Sequence, residues 1–438
     1  MKHTKATLLV ILFAIGLAGV MLASCSRQKE HPDTPMADYT VILYGTISGD
    51  MDSHAEDMWK ETQAMLTDKR VRMIVFYKYG MEGESFSGKY GDPGEVVFFE
   101  LDKDTQFGEL REKGSVNNAF PLYDPETLKA VLNTVKANAP AREYVLAFCG
   151  HGGGFNPYTD YPKEYYTRGF ISDEYLDGVV MDVFELKAAI RQSDIPHLKG
   201  ILFNNCLMGG METVTEIAGE TDYIIATPFL LTSEEEPLIP NLVRQLRQNS
   251  DFETAACRTL EDSQERILEG HRKEAWPANG NVELLKTAGL EGVCASTREL
   301  AARLLSQYPA QQEAIDRATC QVYKFWEVYS SFDLLDYARQ LSLETGDAQF
   351  AAIYKQMEEA FGKAIVKQIT IELPPLPSMP AYSLSVILVN QTVYLSESPL
   401  GPFTFKDAYE RTQFHTMTNW GSWLQANLTS PQGNPHGQ

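Results

Sequence analysis

The sequence has no C-x-x-C pair among its six cysteines, so zinc-ribbon and thioredoxin-type sites lose their spacing support. It has no G-x-S-x-G, the nucleophile turn that a lipase or esterase needs. Its glycine run falls at Gly150, Gly152, Gly153 and Gly154, which is not the G-x-G-x-x-G of a dinucleotide site. Positive charge is scarce. Lys and Arg number 38 against 59 Asp and Glu, a formal net charge of −21, which leaves no basic face for general nucleic-acid binding. No internal repeat, long low-complexity tract or EF-hand-type loop is visible. What is present is globular in composition: 44% hydrophobic, 11% aromatic and 22% charged residues over 438 positions, room for two or three domains.

The one long apolar run lies at the start. Lys2 and Lys5 precede Ala6 to Ala23, and Leu22-Ala23-Ser24-Cys25 follows. Small residues before a cysteine just past an apolar core resemble a bacterial lipoprotein signal, which implies cleavage before Cys25 and lipidation of that residue. Ser26 follows Cys25 instead of aspartate, which by analogy with bacterial sorting points to the outer membrane of the cell envelope. The expected organisation is a signal peptide (1–24), a polar, proline-bearing tether (25–38), a core (39–240) and a C-terminal extension (241–438). No later stretch is apolar for long enough to span a bilayer. With Cys25 acylated, five cysteines remain. That odd number predicts at least one free thiol and leaves one disulfide open among Cys257, Cys294 and Cys320.

Short β-rich runs apolar on both faces recur at Tyr39–Gly45, Val71–Tyr77, Glu95–Leu101, Tyr144–Cys149, Gly200–Asn204 and Asp222–Thr227. Between them come helical patterns at Asp50–Leu66, Pro125–Ala137 and Phe184–Arg191. Doubly apolar strands alternating with amphipathic helices predict an α/β fold with a mostly parallel sheet covered on both sides. The extension reads as mainly helical to about Lys367, with a strand-like segment at Tyr382–Val389.

Two strand ends carry the chemistry. Tyr144–Cys149 runs into Gly150-His151-Gly152-Gly153-Gly154, and Gly200–Asn204 runs into Asn205-Cys206-Leu207-Met208-Gly209-Gly210. The stretch between His151 and Cys206 has room for a loop and one crossover helix. A right-handed crossover makes the two strand ends candidate neighbours on one sheet edge, where reactive sites of open α/β sheets lie. A thiolate attacks and an imidazole carries protons near neutral pH. Residues 207–218 read as a helix starting right after Cys206, whose N-terminus favours a thiolate. The N–H groups of Gly152 and Cys206 are candidate oxyanion donors.

These residues resemble the clostripain-like cysteine peptidases, relatives of caspases and gingipains. The matching stretches are YVLAFCGHGGGF and GILFNNCLMGGMET, with weaker echoes at YTVILYG, FDLLDYARQL and Thr418-Asn419-Trp420. The resemblance implies a caspase-like α/β/α sandwich with a largely helical extension, His151 and Cys206 as the catalytic pair, and Glu212 as the family's helix glutamate. It implies an endopeptidase acting on peptide or protein substrates; the lipoprotein-like signal adds a lipid anchor that holds it to the membrane by its N-terminus, and the acidic balance leaves no nucleic-acid partner. No cofactor or metal is expected; calcium enters only by family analogy. The family also suggests self-processing in residues 155–168, at Lys163 or Arg168. Two positions depart from the pattern. Asn204 stands where an aspartate binds a basic P1 side chain, and Asn205 replaces a small residue. Asn204 and Glu234, the latter in the acidic run 234–236, are the candidate pocket residues. The departures sustain a second reading, an inactive peptidase-fold lipoprotein that binds peptide or glycan.

Overall fold

The computed structural model describes residues 36–47, 52–79, 96–105, 121–155, 170–173, 179–231, 237–274, 279–326, 331–373, 383–396 and 404–429. The signal segment with Cys25, nearly all of the tether, residues 156–169 with Lys163 and Arg168, and Glu234 lie outside them. In chain order the elements are β1 (Ala37–Ile47), α1 (Asp52–Met65), β2 (Val71–Tyr79), β3 (Val96–Leu101), α2 (Pro125–Asn138), β4 (Ala141–Cys149), β5 (Phe170–Asp173), β6 (Val179–Met181), α3 (Val183–Arg191), β7 (Leu198–Asn204), α4 (Met211–Ile217), β8 (Thr221–Ala226), α5 (Leu238–Gln248), α6 (Phe252–Lys273), β9 (Gly280–Lys286), α7 (Leu290–Gln321), β10 (Lys324–Trp326), β11 (Ser331–Asp333), α8 (Leu334–Thr345), α9 (Ala348–Ala364), β12 (Ile365–Ile371) and β13 (Ser385–Ile387). Short helices follow at Gln391–Tyr394, Phe405–Tyr409, Gln413–Thr418 and Trp420–Ala426.

The chain forms two compact units, each built from three separate stretches. The first comprises Met1–Gly152, Gly169–Asn205 and Thr232–Glu274. In it β1 pairs in parallel with β2 and with β4, β4 pairs in parallel with β7, and β3 runs antiparallel to β2, while β5 and β6 pair antiparallel as a separate two-stranded sheet. Val41–Tyr44, Met73–Tyr77 and Val145–Cys149 are all buried, as continuous apolar strands covered on both faces must be. Helix α2 starts where Asp124 accepts a hydrogen bond from the Glu126 N–H and Pro125 takes the first helical position. It turns Leu128, Val131, Leu132 and Val135 into the core. Helix α3 is fixed by a reciprocal capping box of Asp182 and Glu185. The Trp59 ring of α1 sits edge-on to Tyr77, Tyr79 and Phe99.

The second unit comprises Gly153–Arg168, Cys206–Leu231 and Ala275–Gln438. There β9 runs antiparallel to both β8 and β12, and β10, β11 and β13 form a separate three-stranded sheet. Helix α7 packs with α8 and α9. The central sheet has eight strands among the described residues. The fold is therefore mixed α/β with a mainly parallel central sheet and a helical C-terminal region. No helix among the described residues is long and apolar enough to cross a membrane.

Three local expectations change. The stretch read as mainly helical beyond residue 240 also holds β9 and β12. Buried Asn281 and Glu283 interrupt the apolar signal of β9, and alternation weakens that of β12. Of the segment Tyr382–Val389, the described residues 383–389 hold β13, a short strand of the small sheet. The helix expected right after Cys206 begins instead at Met211, with Gly210 as its N-cap.

Candidate active site

The first unit positions the histidine. Strands β4 and β7 run in the same direction, and the last pair in their register is Cys149 with Asn204. Gly150-His151 and Asn205 thus leave the sheet side by side at its carboxyl edge. Gly150 has φ +123°, a region that L side chains avoid, so glycine permits this turn. The Asn205 Nδ2 donates to the carbonyls of Gly150 at 2.8 Å and His151 at 3.2 Å. Asn205 is 1% exposed, and its Oδ1 has no hydrogen bond among the described residues. His151 and Gly152 are half-buried. Asn204 is buried on the last rung of β7.

The second unit positions the cysteine. Cys206 is half-buried, and its Sγ accepts from the Leu231 N–H at 3.3 Å and lies 3.6 Å from the Leu231 carbonyl. Leu207 takes a left-handed conformation with φ +61°. The N–H of Leu207 donates to Phe229 O and that of Gly209 to Thr227 O, so the chain after Cys206 lies along the segment that follows β8. This pairing delays α4 to Met211. The Leu231 N–H is thus a hydrogen-bond donor beside the thiol, and no helix starts at residue 207. Gly154 packs so tightly on this turn that a Cβ there would stand 2.6 Å from Leu207 O.

Glu212 sits in the first turn of α4 and is 1% exposed. It accepts from the Tyr409 hydroxyl at 2.6 Å and the Ile387 N–H at 3.1 Å. Burial outweighs these bonds and one from its own backbone, and pushes its carboxyl up to about 7. The helix glutamate is therefore a buried brace between α4, β13 and the Phe405–Tyr409 helix. Glu216, on the same helix, accepts from the Gln413 N–H at 2.7 Å.

Tyr409, Leu231 and the role of Asn205 were invisible in the sequence. No local spacing links residues 197 positions apart, as Glu212 and Tyr409 are. Only the departure at Asn205 hinted at its position. The described cysteines Cys149, Cys206, Cys257, Cys294 and Cys320 are all free thiols, so none of them forms the disulfide left open above. Among the described residues no group of three or more His, Cys, Asp or Glu is placed to hold a metal ion.

A model of the clostripain family matches residues 94–426, and the chain belongs to that family of cysteine peptidases. No curated protein matches the sequence. Among solved structures, it is similar to a secreted C11 cysteine protease from Bacteroides thetaiotaomicron in complex with an irreversible peptide inhibitor. That likeness has 17% identity and a TM-score of 0.57, over 88% of this chain and 99% of that one. A secreted C11 cysteine protease of the same organism, iotapain, matches at 14% identity and a TM-score of 0.60, over 88% and 100%. An inactive zymogen C11 protease from Parabacteroides distasonis matches at 15% and 0.57, over 88% and 99%. At these identities the likeness concerns the fold.

Proposed function

We propose that the protein is a lipid-anchored cysteine endopeptidase of a bacterial cell envelope, with Cys206 as nucleophile and His151 as its proton carrier. The observation that supports this most is the shared register of β4 and β7, which ends at Cys149 and Asn204, directly before Gly150-His151 and Asn205-Cys206. In the proposed reaction the Cys206 thiolate attacks the scissile carbonyl carbon. The carbonyl oxygen takes the electron pair and is met by the N–H groups of Gly152 and Cys206. His151 gives a proton to the leaving amine as the C–N bond breaks. Water, deprotonated by His151, then releases the acyl group from sulfur.

Asn204 carries no charge where the family pattern has aspartate, so P1 recognition is expected to rely on polar contacts or on the acidic run that includes Glu234. Cys25 is the proposed lipidation site, and the outer membrane the proposed location. Self-processing at Lys163 or Arg168 belongs to the same reading. The second reading, a binding lipoprotein without activity, draws on the changes at Asn204 and Asn205.

An irreversible thiol-directed peptidyl probe on the purified protein, beside a peptide library, tests the enzyme. Labelling at Cys206 and cleavage lost in both Cys206→Ala and His151→Ala are expected. A probe that labels the other thiols no less than Cys206, with no peptide cleaved, favours the binding lipoprotein. Intact mass before and after incubation reads self-processing, and the mass of wild type against Cys25→Ala reads the lipid.

A further inference from the structure

Pairing of β4 with β7 stops at Cys149 and Asn204, yet the residue proposed to carry protons lies two positions further on. The carboxamide of Asn205 continues where the ladder ends. Its Nδ2 has two hydrogens, and both are used, one on Gly150 O and one on His151 O. Those carbonyls belong to the peptide planes before and after the His151 Cα. Orienting the first plane sets φ of His151 and orienting the second sets ψ. Together they set the direction of its Cα–Cβ bond. The amide orientation follows from the same contacts, because the flipped form would face Oδ1 against two carbonyl oxygens. The Asn205 side chain is fully enclosed, so its carboxamide is held in place.

We propose that Asn205 is a positioning residue for His151: one buried side chain fixes both backbone dihedrals of the proton carrier and so aims its imidazole. This rests on the reading of His151 given above. The family pattern has a small residue at this position, which lacks such a donor pair. The device is therefore a property of this sequence, and it gives the departure at Asn205 a function.

The test uses the full chain as Asn205→Ala, which removes the carboxamide, and Asn205→Asp, which keeps the shape but loses both donors. Alkylation of Cys206 by iodoacetamide is followed by peptide mass spectrometry across pH 5–9, with His151→Ala as reference. The wild-type profile is expected to change on His151→Ala. Both Asn205 variants are expected to move toward that reference, slowing on the order of tenfold near neutral pH. With a cleaved peptide, kcat is expected to fall on the order of 10–100-fold while KM stays within about twofold, as misaimed catalytic groups do. Wild-type profiles in either folded Asn205 variant, with His151→Ala still altered, overturn this proposal alone. A wild-type profile indifferent to His151→Ala overturns the proton-carrier reading and this proposal together. If one variant does not fold, the other carries the test.

Discussion

Glu212 shows how a single buried acid ties stability to pH. Its carboxyl is raised from 4.5 to about 7 because burial disfavours the charge. Asp333 and Glu283 are buried in the same unit and are raised to about 6 and about 8, again chiefly by burial. A carboxyl raised on folding binds its proton more tightly in the native state than in the unfolded chain. The stability it contributes is complete below about pH 4 and is lost as pH rises through the folded value. Melting temperature is therefore expected to fall between pH 5 and pH 9 through these three groups. Glu212→Gln keeps a neutral side chain at every pH, so its melting curve should fall less than wild type over that range, by about 2–4 °C. Differential scanning calorimetry at several pH values reads this, and parallel curves for the two proteins would contradict it. From sequence alone Glu212 was legible only through the family pattern. Its burial is set by Tyr409 and Ile387, which no local signal announces.

Among the elements, the join of β7 and α6 within the first unit offers the cleanest packing test. Gly200 lies under the Phe252 ring, where any added Cβ would collide with it, and Phe252 is 2% exposed. Gly200→Ala is expected to cost about 1–3 kcal/mol by overpacking. Phe252→Ala is expected to cost about 3–5 kcal/mol through the cavity it leaves. In the Phe252→Ala background the alanine at 200 has room, so its cost should fall to within about 0.5 kcal/mol of zero. Urea unfolding of the four proteins measures the coupling, and strictly additive costs would show that the ring and the strand do not share this space. The doubly apolar strands of the first unit were readable because burial on both faces leaves an unbroken apolar run. β9 was not, since Asn281 and Glu283 are polar residues held inside by partners such as Gln368 from β12. The start of α4 was misread for a similar reason. The αL turn at Leu207 depends on a hydrogen bond to Phe229 O, 22 positions along the chain, so the apolar pattern of residues 207–218 looked helical throughout.

At the scale of the whole molecule, neither compact unit is continuous in sequence, and the second draws on Cys206–Leu231 as well as on everything after Glu274. Residues 206–231 need their distant partners: β8 pairs with β9, Glu212 needs Tyr409 and Ile387, and Glu216 needs Gln413. The Trp420 indole adds a bond to Ile387 O. A chain ending at residue 389 should therefore lose cooperative melting of the second unit, with a poor soluble yield. A truncated protein with a wild-type calorimetric transition would show that the last helices do not hold α4.

The hydrogen bond between Tyr409 and Glu212 also has a consequence in time. At synthesis rates of about 5–20 residues per second, the 197 positions between them take roughly 10–40 s to emerge. Throughout that interval Cys206 has left the ribosome, but the brace of the helix that follows it has not. A chain assembled this way completes the surroundings of Cys206, the proposed nucleophile, only after Tyr409 has emerged. Order in the helix after Cys206 is therefore timed by the arrival of a residue 197 positions beyond Glu212.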